Sequence, residues 1–187
     1  MDNINELMTA WKEMDSKVTS LVEENKRLAG EIKKNKLQSS QEKLMRKYRT
    51  FIILEAACIP IVILIVGFNP WIVEKYRWVT LIYWIVFFLL ELGIDSWLLY
   101  RLNKIDIYND SIVEISRTAR SNWKIHKIAI LAGIPLAIGA VVLICLAMGG
   151  QQEMLYGVVA GAVIGLAIGL NEFFKFMRNY RIMAREE

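Results

Sequence analysis

This 187-residue chain is poor in the residues that build metal centres and disulfide scaffolds: it has one histidine, two cysteines and three prolines. Cys58 and Cys145 both lie in apolar runs, which excludes a disulfide framework and leaves no metal-ligand spacing. His126 has no Cys or Asp at ligand spacing and reads as an interface residue rather than a ligand. There is no H-E-x-x-H, no G-x-S-x-G and no phosphate-binding loop. The glycine-rich GVVAGAVIG (157–165) sits inside an apolar run with no strand before it, so it is not a nucleotide loop. No enzyme, cofactor or metal is expected. The first fifty residues lack an apolar signal core. The net charge of +4 comes from basic residues that flank apolar runs, which fits membrane orientation rather than nucleic acid.

Long apolar runs are what the chain has in quantity. Hydrophobic residues make up 55% and mean hydropathy is +0.34, while the 22% that are charged fall in blocks between the runs. We expect an all-α, four-span transmembrane bundle, with spans near 51–68, 78–100, 128–148 and 155–174. Residues 1–38 form a separate amphipathic or coiled-coil helix, and 39–187 the membrane domain. Ser39 and Glu42 have capping-box spacing, so a helix boundary is expected there; Ser111 and Glu114 repeat it after the Asn109-Asp110 turn signal. The 101–127 stretch then reads as a helical hairpin outside the bilayer. Pro60 is expected to kink the first span, and Asn69-Pro70 to end it. The N-terminal arm, middle loop and C-terminal tail hold nearly all the Lys and Arg, which places both termini on the cytoplasmic side of an inner membrane.

The last span carries Gly157, Gly161, Gly165 and Gly169 at every fourth position. Residues four apart share a helix face, and a face without side chains lets a neighbouring helix approach closely. We expect this glycine zipper to pack within the subunit against the first or third span, with self-dimerisation as the alternative.

The arm has a heptad seam: Ile4, Trp11, Val18, Asn25 and Ile32 at a, and Leu7, Met14, Leu21 and Leu28 at d. Met8, Val22 and Ala29 widen it. A wide stripe suits packing on the protein's own helices, whereas Asn25 at an a position suits a parallel homodimer through residues 4–32. A cytoplasmic protein partner is a further expectation.

Ionisable groups in a bilayer are costly and mark candidate sites. Glu91 and Asp95 share one face of the second span, and Glu55, Asp95 and Glu172 should lie at similar depth. His126, Lys127, Arg101 and Lys175 enter the same layer. The structural reading is a salt-bridge ring that locks the helices. The functional reading is a proton or cation path with Glu91 deepest.

Two segments align at offsets of 75 and 76: 48–60 with 123–135 and 93–100 with 169–176, which suggests two parallel hairpins. The opening ELMTAWKEM, with Leu7, Trp11 and Met14 ahead of four spans, resembles small inner-membrane proteins common in Bacteroidota that begin with an L-x-x-x-W-x-x-M/L segment. Many of those are encoded near sigma-factor genes, and the resemblance implies a regulatory role without assigning any residue to it. The combined expectation is a non-enzymatic membrane-anchored scaffold or regulator acting through its cytoplasmic helices. A small transporter or channel using Glu91 and Asp95 is the alternative.

Overall fold

A computed structural model describes residues 2–149 and 152–184, with side chains described for 8–149 and 156–184. The architecture is all-α: helix α1 (Asp2–Val62), a π-helical turn (Ile63–Gly67), α2 (Glu74–Asn103), α3 (Ile112–Ala147) and α4 (Gln152–Ala184), with no strand among the described residues. Each helix contains a stretch long and apolar enough to cross a membrane, which makes this a multi-pass membrane protein. Helices are the form such sequences must take in lipid, because every backbone group is then satisfied within its own segment. The 30 residues of α2 reach roughly 45 Å at ~1.5 Å per residue, more than the about 30 Å of a hydrocarbon core.

The chain divides into two compact units, Met1–Ser39 and Ser40–Glu187. The first is a single helical stretch. Its described seam residues Trp11, Met14, Val18, Leu21 and Leu28 are all exposed, Trp11 by 63%, as are Met8 and Val22. Leu7 lies outside the described side chains. Lys17 pairs with Glu13 one turn earlier at 2.7 Å, an orientation that suits the helix dipole. The expected boundary at Ser39 is not there: α1 is one helix from Asp2 to Val62. No Pro or Gly falls between 31 and 59, and Lys, Gln, Leu and Glu there are good helix formers. A Ser-x-x-Glu spacing caps a helix only where the backbone has begun one.

In the second unit, packing is densest at the two ends and sparse between them. At one end Leu44, Tyr48, Leu98, Leu102, Ile115, Phe176, Tyr180 and Met183 are almost fully buried. At the other, Val66, Ile72, Leu81 and Ala147 form a smaller cluster. The apolar stretches between them are largely exposed, the reverse of a soluble core and the expected surface for lipid contact.

The connections explain why the helices stop where they do. Pro60 lies inside α1, and the helix widens to a π turn three residues later. Arg77 then donates to the carbonyls of Gly67, Asn69 and Ile72, satisfying acceptors that the ending helix leaves open. Gln41 does the same for α2, donating from Nε2 to the carbonyls of Leu102 (2.7 Å) and Ile105 (2.9 Å). Asp106 holds the next turn by accepting from the backbone N–H groups of Tyr108 and Asn109. Ser111 and Glu114 then form the expected capping box, and α3 runs without a break into its span. Gly149 ends that span with φ +63°, in the left-handed region that favours glycine. Ser116 and Arg120 hold the far end of α4 through the Ala184 carbonyl.

Candidate functional site

Where the four helices of the second unit converge they line a partly open cavity of about 250 Å3. Five of the eight ionisable residues singled out in the sequence line it: Glu55 from α1, Glu91 and Asp95 from α2, His126 from α3 and Glu172 from α4. Phe51, Phe173 and Phe176 complete much of the wall. Glu91 and Asp95 come together because four residues make about one helical turn. Glycine makes the room on α3: a Cβ at Gly133 would lie 3.1 Å from Glu91 Oε1. A second such approach occurs farther along, where Tyr83 donates to the Leu136 carbonyl at 2.9 Å and a Cβ at Gly139 would lie 2.7 Å from the phenol oxygen.

The ion pairing differs from a closed salt-bridge ring. Glu172 is paired with Lys47 and with Lys175, the latter at 2.5 Å. Among the described residues no ion pair reaches Glu55, Glu91 or Asp95, and Glu55 Oε2 is buried without a hydrogen-bond partner. Lys127 is directed elsewhere, over the Trp123 ring at 5.5 Å. Arg101 donates to Ser121 and lies over Trp97 at 4.9 Å. Long basic side chains reach past the interface to find partners, and here they find aromatic faces and Glu172 instead of the deeper acids.

Beside the cavity lies an aromatic layer that periodicity alone did not single out. Tyr48 Oη is 2.9 Å from Tyr180 Oη and 3.1 Å from His126 Nδ1. The imidazole sits between Trp123 and Phe176, with ring centroids at 5.8 and 4.6 Å. Phe173, Phe176 and Tyr180 follow one another at steps of three and four on α4, and Trp123 and His126 are three apart on α3. That spacing was the available signal. These groups lie just outside the apolar spans: burial pushes both phenols up and lowers the His126 imidazole to about 4.

The imidazole is therefore neutral near pH 7, and the sign of its pH linkage follows. Its ordinary value is about 6.5, so between there and about 4 an unfolded chain takes up a proton that the folded one refuses. The contribution of neutral His126 is present above pH 6.5 and lost as pH falls toward 4. We expect the thermal midpoint in detergent to drop over that window, and His126→Gln to flatten the drop. An identical pH profile for His126→Gln would place the acid sensitivity elsewhere.

The glycine face corrects the sequence expectation. A Cβ at Gly157, Gly161, Gly165 or Gly169 would meet nothing within 4 Å, and all four residues are exposed. The zipper is not a contact within the subunit. The close helix approaches in this chain are instead at Gly133 and Gly139 on α3. Cys58 and Cys145 are free and half-buried, and among the described residues no group of three His, Cys, Asp or Glu side chains could hold a metal ion.

No protein-family model matches the chain, and no curated protein and no solved structure matches it.

Proposed function

We propose that this protein is a non-enzymatic membrane-anchored scaffold or regulator that holds a helical segment of a protein partner at the inner membrane through its N-terminal helix. The observation that carries this reading is the bare heptad seam. Trp11, Met14, Val18, Leu21 and Leu28 lie along one face and all remain exposed. Burying one such side chain is worth about 1.5–3 kcal/mol, so a helix laid along several of them would gain substantially even after ordering costs. Helix-in-groove recognition uses this spacing of anchors. The resemblance of the opening segment to small inner-membrane proteins encoded near sigma-factor genes supports a regulatory setting. The charge bias supports a cytoplasmic placement for the arm and for both termini. Asn25 in the seam fits a second copy as one such helix, because a-position amides meet in a parallel pair.

Cross-linking followed by mass spectrometry on native membranes tests the reading. The full chain should give cross-links from its first forty residues to a recurrent protein species. Val18→Asp combined with Leu21→Asp should reduce them at least tenfold, with membrane insertion unchanged. Cross-links of undiminished yield in that double variant would contradict recognition through the seam.

A second reading is favoured by one specific observation, the unpaired acids around the cavity. It is a small transporter or a proton- or cation-conducting channel that uses Glu91 and Asp95. Proteoliposomes decide it: cation or proton uptake that Glu91→Gln abolishes would establish transport, and absence of flux in the unsubstituted protein would dismiss it.

A further inference from the structure

Three features of the cavity do not fit a purely structural role. Its acids are not neutralised by the protein: Lys47 and Lys175 both serve Glu172, and among the described residues no ion pair reaches Glu55, Glu91 or Asp95. Uncompensated charge away from water is expensive, and a protein that keeps several acids there has left their balance to a proton or to something bound. The second feature is independent of the acids. His126 is only 8% exposed, lines the same cavity, and its Nε2 has no hydrogen-bond partner. The other nitrogen, Nδ1, is engaged with Tyr48. When Nδ1 donates to Tyr48 and Tyr48 to Tyr180, Nε2 presents a lone pair, an acceptor for a ligand N–H. The third is the wall, where the rings of Phe51, Phe173 and Phe176 stand beside the acids.

These features select among cations. No three of the carboxylate and imidazole groups are placed to hold one metal ion. A bare alkali or divalent ion would thus touch too few oxygens to repay its dehydration. A cation spread over several carbon atoms touches more of the space. It dehydrates at lower cost, places its alkyl groups on aromatic faces, and still faces the acids. A volume of about 250 Å3 has room for such an ion. We propose that this cavity is a binding site for a small organic cation of the alkylammonium class, with Glu91 and Asp95 balancing its charge, Phe51 and Phe173 contacting its carbon atoms, and His126 Nε2 accepting a hydrogen bond when it carries an N–H. The proposal concerns binding, stands apart from transport, and is unaffected by whether the N-terminal seam has a partner.

The test uses the full chain in detergent at fixed pH, with the thermal midpoint followed against tetraethylammonium, ethylammonium, sodium and potassium chlorides at equal ionic strength. A short-chain phosphatidylethanolamine arm supplies the same ammonium on a lipid headgroup. We expect a saturable rise in midpoint with an ammonium species. A rise with the free ions marks a soluble ligand, and a rise with the lipid alone marks a headgroup; both support the site. Glu91→Gln and Asp95→Asn should each weaken the half-saturating concentration at least tenfold. Phe51→Leu, at a half-buried position, should weaken it severalfold, and it serves if an acid variant fails to fold. Equal shifts with sodium, potassium and the ammonium ions would overturn the proposal, as would ammonium stabilisation that persists unchanged in Glu91→Gln, or no shift with any ammonium species.

Discussion

Tyr48→Ala is expected to destabilise the membrane domain by about 3–5 kcal/mol. The side chain is fully buried. Its ring meets Phe176 edge-on at 5.0 Å and His126 at 5.7 Å, and its hydroxyl joins Tyr180 to the imidazole. Truncation removes the ring from the densest part of the fold and opens a cavity that its close-packed neighbours cannot easily fill. Tyr48→Phe keeps the ring and removes only the hydroxyl, leaving the Tyr180 hydroxyl and His126 Nδ1 without their partner, at a cost of about 1–3 kcal/mol. The midpoints of both variants in detergent check this order. A Tyr48→Ala protein as stable as the unsubstituted one would show that the helices are held by other contacts.

Two glycines in neighbouring spans should respond oppositely to the same change. Gly139→Leu forces a side chain into the space taken by the Tyr83 phenol and costs the hydrogen bond to the Leu136 carbonyl, which has no water to replace it within lipid. Overpacking and the lost bond together amount to about 3 kcal/mol. Gly161→Leu meets nothing within 4 Å and replaces a poor helix former with a good one, so the subunit should be unchanged or slightly more stable. Loss of stability at Gly161 but not at Gly139 would reverse the assignment of the close contacts.

The spans were legible because lipid leaves an apolar run of that length little choice but to be helical, and the Ser111 cap because its turn signals sit beside it. The other capping spacing misled at Ser39, where nothing in the neighbouring residues breaks a helix and α1 continues. The four glycines of α4 carry a stronger pattern than Gly133 and Gly139, yet it is the latter pair that meet side chains from α2. A repeat on one helix says which face is smooth; only the partner's Glu91 and Tyr83 say which smooth place is used. The acidic layer was readable from depth along each span. Its lack of basic partners was not, because the reach of Lys127 and Arg101 toward Trp123 and Trp97 depends on side-chain geometry. The aromatic layer around Tyr48 joins residues up to 132 positions apart, a separation that no local pattern spans.

A scan with a photoreactive residue along the N-terminal helix of the full chain, in native membranes, is the most direct measurement of what the exposed seam does. Substitution at Trp11, Val18, Leu21 and Leu28 should each give an adduct with one recurrent helical protein, a second copy of the chain included, whereas Ser16 and Glu23 on the opposite face should give none. Equal adduct yields on both faces, or no adduct from any seam position, would contradict a membrane anchor that recruits its partner through this helix.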